Sequence, residues 1–150
     1  MTGNHEYYAG LTQALEAIER SGFRILRGEG VTAEKALNIV GVDDPTGGAP
    51  VDEGGLLASS RNGLFTLFLK HRPEVSAKSR GLFDLQLSGH THRGQIFPFR
   101  FFTAMVYPMQ NGLYALGGGS FLYASRGTGT WGPPIRVLSP PEIGIIELSR

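Results

Sequence analysis

At 150 residues the chain has the length of one domain, and its 41% of hydrophobic and 18% of charged residues are typical of a folded globular protein. A formal charge of +1 gives no strong field for a nucleic acid, so we expect none as a stable partner. Cysteine is absent, which excludes disulfides and thiolate zinc sites and leaves His, Asn, Asp or Glu to hold any metal ion.

The first half of the chain predicts one helix followed by strands. Apolar residues recur at helical spacing through residues 8–21, and Gly22 is a suitable cap for the end of that helix. Short β-rich runs follow at residues 23–26 and 37–42. Residues 43–55 are rich in Asp, Gly and Pro, which indicates a loop.

The second half predicts mostly strands. A buried strand at residues 64–70 delivers His71, a short helix follows at 73–80, and a strand at 82–87 precedes a loop with two histidines. Residues 113–116 and 121–125 indicate a hairpin, and residues 143–148 a final strand. The expected fold class is α/β, with two mixed β-sheets packed together and flanked by helices.

All four histidines lie in three short motifs, which are Asn4-His5-Glu6, His71-Arg72-Pro73 and Gly89-His90-Thr91-His92. Two imidazoles one residue apart, in a glycine-flanked loop after a strand, are well placed to bind ions. The clustering predicts a hydrolytic metal site. A histidine pair alone is also compatible with hydrogen-bonded turn residues, and the ligand interpretation depends on the other two motifs.

The motifs Gly3-Asn4-His5-Glu6, Lys70-His71-Arg72-Pro73 and Gly89-His90-Thr91-His92 resemble those of the calcineurin-like metallophosphoesterases, and they follow that family's order. The resemblance implies that Asn4, His71 and His90 ligate one divalent ion and that His92 ligates a second. It implies that His5 assists departure of the leaving group. The implied reaction is hydrolysis of a phosphate monoester or diester by a metal-bound hydroxide, with Mn, Fe, Zn or Mg as the metal.

A finer resemblance comes from three segments, namely Arg93-Gly94-Gln95 directly after the histidine pair, Arg126-Gly127-Thr128-Gly129 and the closing Pro140-Pro141-Glu142-Ile143. These segments look like a bacterial branch that includes membrane-associated phosphoesterases, whose full-length members can carry a membrane anchor. The chain itself shows no signal peptide and no apolar run near the roughly 20 residues needed to cross a bilayer. We therefore expect a soluble chain, cytoplasmic or membrane-associated in its full-length form.

Two family motifs, Asp-x-His and Gly-Asp-x-x-Asp, occur nowhere in the sequence. In the family they supply the carboxylates of the metal centre. We therefore expect residues 1–150 to form a single but incomplete catalytic domain that lacks its N-terminal strands and has impaired activity. The alternative is a non-catalytic metal-binding or interaction fragment of such a protein.

Several residues have two interpretations at this stage. Arg93 is either a clamp for a substrate phosphate or a solvated arginine. The aromatic residues at 97–107 are expected in the core, with a lipid or aryl pocket as the alternative. The acids of loop 43–55 are expected to be solvated. The Gly-x-Gly-x-x-Gly run at 127–132 precedes two prolines instead of a helix, so we reject a dinucleotide site and expect a loop at the rim of the cleft.

Overall fold

The computed structural model describes residues 1–148. Its helices are α1 (Asn4–Ala9), α2 (Leu11–Arg20), α3 (Glu53–Ser60) and α4 (Arg100–Val106). Its strands are β1 (Glu29–Ala33), β2 (Leu37–Gly41), β3 (Phe65–Leu69), β4 (Leu85–Ser88), β5 (Gly112–Gly117) and β6 (Ser120–Ala124). Short 3-10 turns lie at Pro45–Gly47 and His92–Gly94.

The strands join in one mixed sheet of order β1-β2-β3-β4-β6-β5. The four inner strands β2, β3, β4 and β6 run parallel, and each edge strand pairs antiparallel with its neighbour. The predicted α/β class with a mixed sheet flanked by helices is confirmed, although the strands in residues 1–148 form one sheet where two were expected. Four parallel strands place four carboxyl ends, and the loops that follow them, along one edge.

The core lies on the sheet face that α3 covers. Its buried members come from β2 and the residue after it, from β3, from α3 and from the segment before β4, and they are Val40, Val42, Leu57, Phe68 and Phe83. The rings of Phe68 and Phe83 pack with centroids 5.5 Å apart. Because Phe68 is fully buried in this core, the end of β3 is held in place, and so is the direction in which the chain continues from it.

Several predicted elements differ from the structure. The single helix at 8–21 is two helices, because Gly10 adopts a φ of 105° between α1 and α2. No strand forms at 23–26, and the first strand begins at Glu29. Helix α3 lies partly in the predicted loop. The helix expected at 73–80 is a series of turns, in which the Ser79 hydroxyl donates to the Ser76 carbonyl at 3.0 Å and competes with helical bonding.

The hairpin of β5 and β6 is confirmed, but the final strand predicted at 143–148 is wrong. Ile143 and Ile145 are 83% and 94% exposed, and no strand within residues 1–148 pairs with this segment. A strand needs a neighbour to satisfy its backbone groups, so the alternating apolar pattern alone does not make one. None of the helices in residues 1–148 has the length and apolar character that crossing a membrane requires.

Candidate metal centre

Three polar side chains meet at the carboxyl edge of the parallel sheet. His71 follows β3 by two residues, His90 follows β4 by two residues, and Asn4 is the first residue of α1. The segment before α1 is tied to the same edge because the Thr2 hydroxyl donates to the Asp43 carboxylate, after β2, at 2.8 Å. Distant parts of the sequence are therefore brought together by the order of the strands.

The three side chains direct one ligating atom each toward a common point. The Nε2 atom of His71 lies 2.9 Å from the Oδ1 atom of Asn4 and 3.2 Å from the Nδ1 atom of His90, and that Nδ1 lies 3.3 Å from Oδ1. Donors about 2.1 Å from one ion are about 3.0 Å apart in octahedral and about 3.4 Å apart in tetrahedral coordination. The triangle of Asn4, His71 and His90 therefore fits a single divalent ion.

The protonation of the imidazoles also suits a cation. Burial, and next the nearby His90, lower the pKa of His71 to about 4. Burial, and next the charge of Arg72, lower the pKa of His90. A neutral ring is the form that binds a metal ion. Carboxylates are missing from the set: within residues 1–148 no three His, Asp or Glu side chains gather closely enough to hold an ion.

Asp44 lies beside this centre without belonging to it. Its carboxylate is buried and accepts two hydrogen bonds from Arg72, from Nε to Oδ2 and from Nη2 to Oδ1, both at 2.9 Å. Thr46 donates to the same carboxylate through its N–H and its hydroxyl. Burial by itself would raise the pKa of Asp44, but these bonds hold it at about 2.

The expectation that the acids of loop 43–55 are solvated is therefore wrong for Asp44. It is also wrong for Asp43 and Glu53, which are ion-paired with Arg27 and Lys70, both at 2.7 Å. Asp52 is exposed and accepts from the N–H of Gly55 at the start of α3. What distinguishes Asp44 is its partner, Arg72, which follows His71 directly. The ion pair of Asp44 with Arg72 therefore holds the backbone next to His71 in place.

The loop after β4 adopts a strained backbone. Four residues with side chains have positive φ there: His90 at 69°, His92 at 46°, Arg93 at 50° and Gln95 at 49°. Left-handed conformations cost such residues about 1–2 kcal/mol each and persist where surrounding contacts enforce them. The buried Gln95 side chain supplies one such contact, since it donates to the carbonyl of Trp131 at 2.8 Å and accepts from the N–H of that residue at 2.8 Å.

A cavity of about 520 Å³ opens over the triangle. The other two predicted histidines, His5 and His92, line it, whereas Arg93 is not among its lining residues. His5 is exposed, and its ring packs against Tyr8 with centroids 5.8 Å apart. Trp131 also lines the cavity, so the 127–132 loop does form part of the rim. Arg93 as a phosphate clamp stays a prediction.

His92 faces an arginine that sequence reasoning did not single out. Its Nδ1 accepts from Nη2 of Arg136 at 3.0 Å, and the same Nη2 donates to the carbonyl of Arg126 at 2.9 Å. Burial, and next the charge of Arg136, lower the pKa of His92. An accepting Nδ1 carries no proton, which puts the proton of the neutral ring on Nε2. The ligand role predicted for His92 stays a prediction, and it requires Arg136 to release Nδ1, because in this tautomer neither ring nitrogen has a lone pair for an ion.

Relatives of known family cover nearly the whole chain. An uncharacterized metallophosphoesterase of Aquifex aeolicus is 40% identical over 153 residues, spanning 97% of the chain and 58% of the relative. One of Campylobacter jejuni is 37% identical, spanning 97% of the chain and 40% of the relative. The chain belongs to the metallophosphoesterase family. A transmembrane protein with metallophosphoesterase domain of Danio rerio is 30% identical, spanning 99% of the chain and 38% of the relative.

No family model and no solved structure matches this metallophosphoesterase chain. The predicted family resemblance is confirmed, and the bacterial membrane-associated branch stays a prediction. The chain spans about half the length of the curated metallophosphoesterases it matches.

Gly3, in the first motif of this metallophosphoesterase, lies against the ring of His71. A Cβ atom at Gly3 would sit 2.8 Å from Cε1 and 2.9 Å from Nδ1 of that ring, closer than real Cβ contacts. The backbone at Gly3 has a φ of −101°, so substitution brings no conformational penalty and acts through the ring alone. We expect Gly3→Ala to displace His71 and to weaken Mn²⁺ binding at least about tenfold, as loss of ligand positioning does.

Isothermal calorimetry with Mn²⁺ measures this loss of affinity. The control must be a glycine that alanine can replace without strain, which excludes Gly63, whose φ is 85°. Gly129→Ala is suitable, since Gly129 has ordinary φ and open space around its Cβ position. An affinity for Mn²⁺ that is equal in Gly3→Ala and Gly129→Ala would show that His71 does not need its present position.

Proposed function

We propose that the protein containing these residues is a metal-dependent phosphoesterase that hydrolyses phosphate monoesters or diesters. The observation that supports this most directly is the triangle of Asn4, His71 and His90, whose ligating atoms lie within 3.3 Å of one another in a cavity. The family names of the relatives agree with it. Mn, Fe, Zn and Mg all suit nitrogen and oxygen donors.

In this proposal Asn4, His71 and His90 hold one divalent ion, and His92 holds a second. The ions would supply Lewis-acid activation of the ester and of the attacking water. The chain's own histidines bind the ion and move a proton. His71 and His90 stay neutral because burial lowers the pKa of each ring. His5, exposed on the cavity wall, donates a proton to the departing alcohol.

Residues 1–148 alone supply a weak centre in this proposal. Asn4, His71 and His90 are all neutral, and the acids nearest to them are engaged elsewhere: Asp44 with Arg72, and Glu6 with the N–H of Gly3 at 2.6 Å. Divalent sites in proteins gain affinity with the charge of their ligands. We therefore propose that this chain binds one ion weakly and turns over phosphate esters slowly.

The test combines Mn²⁺ calorimetry with turnover of bis-p-nitrophenyl phosphate. We expect one weak site in the wild-type chain, and slow turnover that requires Mn²⁺. His90→Ala should lose at least about tenfold in Mn²⁺ affinity and all measurable turnover. His5→Ala should keep the affinity and lose turnover. Lys78→Ala, at an exposed position remote from the cavity, serves as the control.

Turnover that survives His90→Ala would overturn the assignment of this centre, and two tight Mn²⁺ sites in the wild-type chain would overturn the proposed weakness. Mn²⁺ binding that depends on His90 without any turnover would favour the alternative, a metal-binding segment that does not catalyse. This alternative is supported by one observation, that no Asp or Glu within residues 1–148 joins His71 and His90 at the triangle.

A further inference from the structure

Helix α4 is most apolar on the face that it exposes. The aromatic residues at 97–107 were expected in the core, and that expectation is wrong for the four phenylalanines, whereas Tyr107 is half-buried. The exposed face comprises residues one, three, four and five positions apart, namely Phe101 at 53%, Phe102 at 63%, Met105 at 81% and Val106 at 67% exposure. A helix of a water-soluble domain normally buries its apolar side. Here the partly buried side instead carries Arg100, Thr103 and Ala104.

The apolar surface extends beyond the helix. We call it the aromatic patch, and it consists of Phe97, Phe99, Phe101, Phe102, Met105, Val106 and Trp131, all exposed. A contiguous exposed surface of this kind marks a site of association. Aromatic rings such as those of Phe and Trp are typical of surfaces that rest in the interface between water and lipid.

Charge distinguishes between the candidate occupants of the patch. Residues 85–141 contain four arginines and no Asp, Glu or Lys, so this segment has a charge of +4, whereas the remainder of the +1 chain has −3. At the patch itself the guanidinium of Arg100 lies 4.8 Å from the centroid of the Phe101 ring. Two of these arginines are engaged within the chain, because Arg126 is paired with Glu142 at 2.6 Å and Arg136 donates to the Arg126 carbonyl. A second copy docked through the same patch would place Arg100 against Arg100 with no carboxylate of residues 85–141 to pair them.

An anionic bilayer supplies what the patch lacks, acyl chains for the rings and negative headgroups for Arg100, whose guanidinium lies over Phe97 and Phe101. We propose that the aromatic patch docks on the surface of an anionic lipid bilayer. The candidate metal centre lies next to the docking surface, because Phe102, Thr103 and Val106 line the same cavity as the triangle. Docking therefore turns that cavity toward the lipid phosphates. This last consequence rests on the proposed function, whereas the docking does not.

The test measures binding of the full chain to vesicles of phosphatidylcholine, with and without phosphatidylglycerol. We expect the chain to sediment with the anionic vesicles and less with the neutral ones, and added NaCl should release it. Trp131 is the single tryptophan of the chain, and it reports without any substitution. Its emission should shift to shorter wavelength with anionic vesicles and be quenched by brominated acyl chains.

A matched pair of double substitutions locates the surface. Phe101→Gln/Met105→Gln should lower partitioning into the vesicles at least about tenfold. Transfer of two such apolar side chains from water into the bilayer contributes more free energy than a tenfold change in partitioning requires. Ile143→Gln/Ile145→Gln removes two apolar side chains outside the patch that are even more exposed, at 83% and 94%, and should leave partitioning unchanged. A lack of response of Trp131, equal loss in both double variants, or a dimer in solution that Phe101→Gln/Met105→Gln dissociates would each overturn the proposal.

Discussion

Replacing Asp44 by alanine is expected to lower the free energy of unfolding by about 3–5 kcal/mol, the usual result of removing one member of a buried ion pair. The carboxylate is fully buried and accepts four hydrogen bonds from Arg72 and Thr46. Its loss leaves the guanidinium of Arg72, three quarters buried, without its paired carboxylate. Because His71 directly precedes Arg72, we also expect weaker Mn²⁺ binding.

Urea unfolding followed by circular dichroism measures the loss. Asp52→Ala is the control, since it removes an exposed helix cap worth about 1 kcal/mol. The double variant Asp44→Ala/Arg72→Met should recover much of the stability, because it leaves no charge unpaired. A loss in Asp44→Ala no greater than that in Asp52→Ala would contradict the importance of the pair.

The same carboxylate predicts a pH dependence. The folded pKa of Asp44, about 2, lies below its ordinary value of 3.8, so the unfolded state takes up the proton first. The stabilisation is therefore complete above about pH 4 and is lost as the pH falls toward 2. The difference in unfolding free energy between wild type and Asp44→Ala should shrink over this range.

Asn4→Asp is expected to raise the Mn²⁺ affinity of the chain, on the order of tenfold to a hundredfold. The substitution replaces the amide oxygen of the triangle by a carboxylate of nearly the same shape, and ligand charge is the main determinant of affinity for divalent ions. His71 and His90 would also hold protons more firmly beside a carboxylate, so the comparison belongs at pH 8, where both rings are neutral.

Asn62→Asp is the matched control for this charge change. Asn62 is exposed and precedes β3, at the edge of the sheet opposite to the triangle. Calorimetry should show Mn²⁺ affinity within about twofold of wild type for Asn62→Asp. If Asn4→Asp leaves the affinity unchanged, Oδ1 of residue 4 does not face the bound ion, and the triangle is not the binding site.

The strands that carry the candidate centre were predictable, because β3 and β4 are short apolar runs that end just before His71 and His90. The convergence of Asn4, His71 and His90 was likewise expected, on the family resemblance, and their geometry agrees with it. Local patterns succeed here because strands buried between neighbours need continuous apolar residues, and functional side chains follow their ends.

Other features depended on contacts that no local pattern contains. The partnership of Asp44 with Arg72 spans 28 positions, and that of Arg136 with His92 spans 44. The apolar residues at 143–148 resemble a strand but have no neighbour in residues 1–148. The aromatic residues near α4 resemble a core, yet they are exposed. Composition indicates that a residue can be buried, and only tertiary structure determines whether it is.

The corners of the triangle are far apart along the chain, with 67 positions between Asn4 and His71 and 86 between Asn4 and His90. An unfolded chain cannot gather them, so under the proposed function a divalent cation would bind the native state alone. Thermal denaturation should then occur at higher temperature as Mn²⁺ is added, each tenfold excess over the dissociation constant contributing about 1.4 kcal/mol. Occupancy and folding are in this way one coupled equilibrium.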